Sequence, residues 1–313
     1  MTLGRFRIYT WGVLIFNLGV ILWGAYVRAT GSGAGCGSHW PLCNGEVVPR
    51  SPAIETLIEY IHRISSGLAF LLVLMMLYGA FRLFPKGHLV RYTSIFSLIF
   101  MITEALIGAG LVIFGWVAND TSVARAAAVS IHLVNTFLLL SFVTLTAWWA
   151  SANTFRGMIQ LNPLNIRIAF GLLGIVVLGV TGSITALGDT LFPVDTLSSG
   201  LQQDFNPASH FLIRLRVWHP VLAILLGLYI LGTTGLIGIF QTNLTLKHTA
   251  RFVFMLFLFQ WAVGLINLLL RAPIFTQLLH LFLADMVWIT MVVLLAVACE
   301  CRAPFIVSKQ ATE

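Results

Sequence analysis

The sequence predicts an all-α integral membrane protein with eight transmembrane helices, arranged as two pseudo-symmetric four-helix bundles. The first observation is composition: 58% of the 313 residues are hydrophobic and 9% are charged, whereas soluble domains carry about 25% charged residues. The second is a set of eight long apolar runs, and the third is an internal repeat of four runs. This chain has too few charged residues for the surface of a cytosolic enzyme, so membrane lipid is its expected surrounding.

Each apolar run is long enough to cross the hydrocarbon core as a helix, because backbone amides there must be satisfied within the chain. The first run follows Arg5 and Arg7. We expect it to be an uncleaved span, since it is long for a secretory signal and no small-residue cleavage site precedes Arg28. In chain order the runs lie at 8–27, 60–84, 92–116, 124–150, 165–187, 213–238, 250–270 and 275–299.

The last four runs repeat landmarks of the first four, which divides the chain into halves. The end of span 1, with Leu18-Gly19, resembles span 5, with Leu178-Gly179. For spans 2, 3 and 4 against spans 6, 7 and 8, the aligned pairs are His62 and His219, Glu104 and Gln260, and His132 and His280. Four spans return the chain to its starting side, so the repeat is parallel. The predicted parts are an N-terminal half at 1–150, a cytoplasmic linker at 151–164 and a C-terminal half at 165–313.

The positive charge of the chain is interpreted through membrane topology. With the N-terminus inside, the inner segments contain eleven of the 18 Lys and Arg residues and the outer side contains seven. Cytoplasmic loops carry the excess of Lys and Arg, so both termini are predicted to be cytoplasmic, in a multi-pass protein of the bacterial cell membrane. The net charge of +7 is therefore not read as a nucleic-acid-binding face, and no nucleic-acid partner is expected.

Four histidines lie near the outer ends of the even-numbered spans, at a depth where ionisable groups are rare and indicate function. They are His62, His132, His219 and His280. Neutral imidazole is a common metal ligand, and side chains on facing helices of a bundle can hold a haem iron from both sides. The pattern predicts one haem-iron site in each half. The alternative for any one histidine is a hydrogen bond to a neighbouring helix.

Five arginines at the outer rim are candidates for binding haem propionates, because guanidinium groups bind carboxylates in a bidentate geometry. Proton transfer is a second candidate role for the same five residues. They are Arg63, Arg125, Arg214, Arg216 and Arg271. For any one of them, extension of the side chain to the membrane interface is the alternative interpretation.

The halves differ in their carboxylates. Glu59 lies three residues before His62, on the same helical face, and is a candidate proton acceptor or orienting group. Glu104 stands where the second half has Gln260, which suggests that the first half performs chemistry while the second holds a permanent cofactor. Glu104 is either a proton-transfer group or a structural hydrogen-bond partner, and Asp285 in span 8 has no assigned role.

Cys36 and Cys43 lie in the first predicted outer loop. An oxidising compartment favours a disulfide between them, and the intervening Gly and Pro allow a tight return of the chain. A metal site that also includes His39 is the alternative, although three candidate ligands make a weaker case than a disulfide.

Together these residues resemble the haem A synthase family over the whole chain, in the bacterial form with a cysteine pair in the first extracellular loop. The likeness rests on Arg28-Ala29-Thr30-Gly31-Ser32-Gly33, on Trp40-Pro41-Leu42-Cys43-Asn44-Gly45, on Glu59-x-x-His62-Arg63 and on the three further histidines. Some members with cysteines carry a second pair in the other long outer loop, whereas 188–212 contains none here. An electron relay through paired loops is therefore left in doubt.

The resemblance implies an oxidoreductase that converts the C8 methyl group of haem O to a formyl group, giving haem A for terminal oxidases. It implies a haem b cofactor with His219 and His280 as axial ligands, and a substrate haem ligated by His62 and His132. It also implies that Glu59 is required for activity. A haem O donor enzyme and a homo-oligomer are compatible partners, and the electron donor is not identified.

Two other functions would also use a membrane protein with this repeat. A dihaem b-type membrane electron-transfer cytochrome would use the same histidines, but the unequal carboxylates of the two halves argue against it. A transporter that uses the repeat for alternating access would need broken helices at the midplane, and the spans show no paired Gly or Pro interruptions there.

Overall fold

A computed structural model describes residues 1–151 and 162–300 of the chain, and these residues form helices with no β-strand among them. Eight helices are long and apolar enough to cross a membrane, which confirms the predicted all-α class and the number of spans. In chain order the helices are α1 (Leu3–Ala29), α2 (Ile54–Leu83), α3 (Leu89–Ile113), α4 (Val123–Ser151), α5 (Pro163–Leu191), α6 (Leu197–Asp204), α7 (Phe211–Leu215), α8 (Trp218–Phe240), α9 (Leu244–Leu269) and α10 (Ile274–Glu300).

Several helices extend beyond their apolar runs, because capping side chains satisfy the first backbone amides. The Thr2 hydroxyl accepts from Arg5 N at the start of α1. The Asn162 side chain accepts from two amides at the start of α5, where Pro163 occupies the first turn. His88 caps α3 through Nδ1; burial lowers the pKa of His88, which keeps this nitrogen available as an acceptor.

The two long loops contain more structure than hydropathy indicates. A short 3₁₀ turn, Ser32–Ala34, follows α1. The loop after α5 contains α6, whose Thr196–Ser199 capping box fixes its first turn. The sixth span begins as the five-residue α7 and continues as α8. These segments lie at the same end of the fold as the end of α1 and the start of α10, which we call the loop end.

Each half of the chain packs as a ring of neighbouring helices. In the first half α1 contacts α2, α2 contacts α3, α3 contacts α4, and α4 contacts α1. In the second half α5, α8, α9 and α10 contact one another in the same order. The halves meet through α4 and α5, α4 and α10, and α1 and α10. Most of the predicted linker, residues 152–161, and the C-terminal residues 301–313 lie outside the described residues, and the orientation in the membrane stays a prediction.

Hydrogen bonds as well as apolar contacts join the halves. The Trp288 ring of α10 stacks on Phe137 of α4 at 4.7 Å between centroids, and its Nε1 donates to the Phe137 carbonyl at 2.6 Å. At the opposite end from the loops, the indole nitrogens of Trp148 and Trp149 both donate to Glu300. Because lipid around the spans is as apolar as their side chains, polar contacts of this kind help to specify which helices meet.

We expect Trp288→Phe to lower the stability of the fold by about 1 kcal/mol, because the replacement keeps an aromatic ring but removes the indole hydrogen bond. The midpoint of thermal unfolding in detergent measures the change. Trp218→Phe is the matched control, since Trp218 is 54% exposed. Equal midpoints for the two variants would contradict a stabilising contact between α4 and α10.

Candidate functional site

The four predicted histidines lie at the loop end, in the first parts of α2, α4, α8 and α10. His62 of α2 and His132 of α4 belong to the ring of helices that forms the first half. His219 and His280 lie with 6.3 Å between ring centroids and perpendicular ring planes in the second half. Each ring of helices thus contains two of the four histidines, and the imidazoles of His219 and His280 lie near each other; that each pair ligates one haem iron stays a prediction.

A helical glycine lies behind each of the four imidazole rings, at the same place in each half. A Cβ atom on Gly24 would lie 2.8 Å from His62 Cε1, and one on Gly182 would lie 3.0 Å from His219 Cε1. On the third helix of each ring, a Cβ on Gly108 would lie 3.8 Å from His132 and one on Gly264 would lie 2.8 Å from His280. At three of these four positions, the Cβ atom of any residue other than glycine would thus lie within 3.0 Å of an imidazole ring and displace it.

The histidine pair of the second half fits a metal ion held between two imidazoles. With a metal–nitrogen bond of about 2 Å, two ring centroids on opposite sides of one ion lie about 6 Å apart, close to the separation of His219 and His280. Buried imidazole nitrogens normally have partners. Here Nδ1 of His62 and Nδ1 of His280 are buried without a hydrogen bond in the described part of the chain. Buried imidazoles of this kind are suited to ligating a haem iron.

The residue next to each pair differs between the halves. In the first, Glu104 Oε1 lies 3.2 Å from His132 Nδ1, and Asn135 and Thr136 each donate to the carboxylate at 2.5 Å. In the second, Gln260 Nε2 lies 3.3 Å from His280 Nε2. The aligned positions therefore both contact a histidine, but only the first half supplies a group that can take up a proton.

Glu59 is buried, and its carboxylate is held by the first loop. Glu59 Oε2 accepts a hydrogen bond from the Cys36 amide at 2.8 Å, and Oε1 accepts from Arg63 at 2.5 Å. Arg63 also donates to the carbonyls of His39 and Leu42. Although Glu59 and His62 lie close together on α2, Glu59 contacts the loop while His62 lies against α1. The carboxylate therefore joins the loop to the helix that carries His62.

Cys36 and Cys43 form a disulfide within this loop, as one of the two sequence interpretations predicts. Both residues are buried. The loop approaches α2 so closely that a Cβ on Gly35 would lie 2.5 Å from the backbone of Glu55, and the Thr56 hydroxyl donates to the Gly35 carbonyl. The disulfide segment is thus seated directly on the first turns of α2.

Three of the other candidate arginines are engaged with the protein. Arg125 is buried and donates to the carbonyls of Ala118 and Asp120. Arg216 is buried between Asp189 at 3.2 Å and Asp204 at 2.9 Å. Arg271 donates to the carbonyl of Asp195, and Arg214 is exposed. Together with Arg63, four of the five thus contact loops or helices at this end.

Sequence reasoning missed the part of Arg28, which joins the two halves. Its guanidinium donates to the Ala186 carbonyl at 2.8 Å and to the Thr190 hydroxyl at 2.9 Å on α5. It also donates to the Gln277 side chain at 3.0 Å on α10. In the sequence Arg28 is the first residue of the Arg28-Ala29-Thr30-Gly31-Ser32-Gly33 segment, and this position does not reveal a partner more than a hundred residues away.

Asp285 is fully buried in α10. Both of its carboxylate oxygens lack a hydrogen-bond partner within residues 1–151 and 162–300. It belongs to neither histidine pair by any contact that the structure describes, and we assign it no role.

The chain is similar to known proteins over most of its length. Residues 7–292 match the family described as cytochrome oxidase assembly protein (COX15-CtaA). A protein of Thermus thermophilus named protoheme IX farnesyltransferase is 48% identical over 292 residues, which cover 93% of this chain and 48% of that protein. Two proteins named heme A synthase match shorter segments. That of Alkalihalophilus pseudofirmus is 45% identical over 36% of this chain and 37% of its own length; that of Halalkalibacterium halodurans is 47% identical over 31% and 32%. The matches thus span about half or less of these relatives.

We expect Gly24→Ala to destabilise the protein by about 1–3 kcal/mol, the usual cost of an added methyl group in a packed site, because the new Cβ would displace the His62 ring. Gly19→Ala is the matched control on the same helix, since nothing lies within 4 Å of its added Cβ. Thermal unfolding in detergent measures both. A Gly24→Ala midpoint equal to or above that of Gly19→Ala would show that the ring is not held against α1.

We expect Glu59→Ala to make the Cys36–Cys43 disulfide easier to reduce. Loss of charge-assisted hydrogen bonds of about 1.5–3 kcal/mol should speed reduction by dithiothreitol about tenfold or more, as followed by thiol labelling. Glu55→Ala, at an exposed carboxylate one turn earlier, should leave the rate unchanged. If the two variants are reduced equally fast, Glu59 does not secure the loop.

Proposed function

The chain belongs to the family of cytochrome oxidase assembly proteins, and from this membership we propose that it is a haem A synthase. The proposed reaction is oxidation of the C8 methyl group of haem O to a formyl group, which makes the protein an oxidoreductase of haem A biosynthesis. The reaction adds one oxygen atom to the methyl carbon and removes hydrogen, so the site must release protons. An apolar substrate can enter from the bilayer and leave into it, which suits a chain built almost entirely of spans.

The names of the relatives support the proposed activity. Two of the relatives are named heme A synthase. The relative named protoheme IX farnesyltransferase is about twice as long as the segment that matches, so its name also covers residues that lie outside the match. Because that relative matches over nearly the same residues as the family, its match is compatible with a haem A synthase.

The observation that carries the proposal is the unequal surroundings of two similar histidine pairs. Glu104 contacts His132, whereas Gln260 contacts His280. We assign His62 and His132 to the substrate haem, because only this pair has a carboxylate that can accept a proton during oxidation. We assign His219 and His280 to a resident haem b, where an amide maintains the hydrogen bond but takes no part in proton transfer.

The side chains of the first half position the reacting groups. Asn135 and Thr136 hold the Glu104 carboxylate, so that it faces one nitrogen of His132 and orients the ring. Glu59 and Arg63 hold the disulfide loop on α2, which limits access of water from the loop end. A bound haem supplies the oxidative chemistry that side chains lack. In this proposal Glu104 accepts a proton and Glu59 maintains the closed loop.

A dihaem electron-transfer cytochrome is the second candidate, and one observation favours it. Gly24 and Gly182 lie behind His62 and His219 in the same way, as they would if both pairs held the same permanent haem. Haem content separates the candidates: a cytochrome should be purified with two equivalent b-type haems, and a synthase with one haem b and with haem O or haem A at the other pair.

The decisive experiment is expression of the full chain in a host that makes haem O but no haem A. We expect haem A among the extracted pigments, identified by mass as the product that has gained one oxygen and lost two hydrogens. Unchanged haem O would contradict the synthase. Expression in a second host, which makes only protohaem, tests for farnesyltransferase activity. New farnesylated haem in that host would indicate a farnesyltransferase.

In the same host, Glu104→Gln should reduce haem A formation at least tenfold, because the amide keeps the shape of the side chain but cannot accept a proton. Gln260→Glu, at the aligned position of the second half, is the matched control and should retain most of the activity. Full activity of Glu104→Gln would remove the proposed proton acceptor. Comparable haem b content in both variants confirms that the fold is intact.

A further inference from the structure

An apolar groove of about 670 Å³ runs along α4 between the two halves. Ile107 of α3 lies at one edge, Val180 and Ile184 of α5 form a wall, and Phe211 and Leu215 of α7 lie across it. Its volume falls within the range of about 300–1,000 Å³ that is typical of sites for small molecules. The groove contains no charged side chain among its lining residues.

One edge of this groove adjoins the histidine pair of the first half. Asn135 lines the groove and donates to the Glu104 carboxylate at 2.5 Å. The same carboxylate lies 3.2 Å from His132. Ile107, also in the lining, precedes Gly108, where a Cβ would lie 3.8 Å from the His132 ring. One chain of contacts, through Asn135 and Glu104, therefore connects the groove to the His132 imidazole, and Ile107 lies next in sequence to a glycine near the same ring.

The other side of the groove is open to the surroundings of the protein. Val123 is 67% exposed and Ile131 is 58% exposed, and Ala127 between them is also exposed. In a protein that crosses the membrane, these residues face lipid. A long hydrocarbon chain can therefore lie in the groove while it remains attached to a group near His132.

We propose that this groove binds the isoprenoid side chain of the haem substrate. The inference rests on the proposed function, because haem O differs from protohaem by a farnesyl-derived chain that a purely porphyrin-binding site would not use. The chain is apolar along its length, as is most of the groove. Because lipid tails are as apolar as the groove, the chain gains no hydrophobic transfer energy on entering it; the groove instead offers van der Waals packing to a chain that is tethered to the porphyrin, and so favours the farnesylated haem over protohaem.

A lipid acyl chain is the competing occupant of the same groove. It has similar apolarity but no attachment to a group beside His132. The groove adjoins the substrate histidines through Asn135 and Ile107, which favours an occupant that is covalently joined to the porphyrin.

The test compares binding of haem O and of protohaem to the full chain in lipid nanodiscs, by Soret titration without turnover. Wild-type protein should bind haem O more tightly. Ala127→Trp would fill the groove and should lower this preference about tenfold, which corresponds to about 1.4 kcal/mol, while protohaem binding stays the same. Ala262→Trp is the matched control, since Ala262 is an exposed alanine on α9, and it should leave the preference unchanged.

An unchanged preference in Ala127→Trp overturns the inference and leaves a lipid acyl chain as the occupant. Ala127→Leu replaces this variant if the tryptophan variant is not monodisperse, with a smaller loss expected. Formation of haem A is measured separately. If wild-type protein makes haem A but Ala127→Trp retains its preference, the groove inference alone fails. If the preference falls but wild-type protein makes no haem A, the groove stands and the proposed function fails.

Discussion

The structure depends on one constraint, which is that backbone amides inside hydrocarbon must find partners within the chain. This constraint makes each long apolar run a helix, and short connections make successive helices antiparallel. The histidines near the starts of four even-numbered spans therefore lie at one end of the protein. Their common depth follows from the topology, and their pairing follows from the ring packing of each half.

Within this frame, small residues decide how closely the helices and rings approach. Gly24 and Gly182 let imidazoles lie directly against neighbouring helices in both halves, and Gly35 lets the disulfide loop contact the backbone of α2. Overpacked sites in a close-packed interior shift side chains from their positions. The glycines thus belong to the site although they contribute no functional group.

The two halves share a ring of four helices but differ in the polar side chains beside their histidines. Glu104 and Gln260 occupy aligned positions beside a histidine, but Glu104 lies against Nδ1 of His132 and Gln260 against Nε2 of His280. A second difference is the first loop, which Glu59 and Arg63 attach to α2. Glu59 therefore acts on the loop as well as lying three residues before His62 in sequence, and this connects the disulfide to the N-terminal half.

The sequence by itself determined the eight spans, the repeat, the four histidines and the cysteine pair, because hydropathy, spacing and residue type are local properties of the chain. Only the tertiary structure decided that Arg63 and Arg216 are engaged with carboxylates, that Arg28 joins α1 to α5 and α10, and that a groove adjoins His132. These contacts join residues far apart in the chain. They depend on helix rotation and on the path of loops, which an apolar pattern with no strong periodic face does not specify.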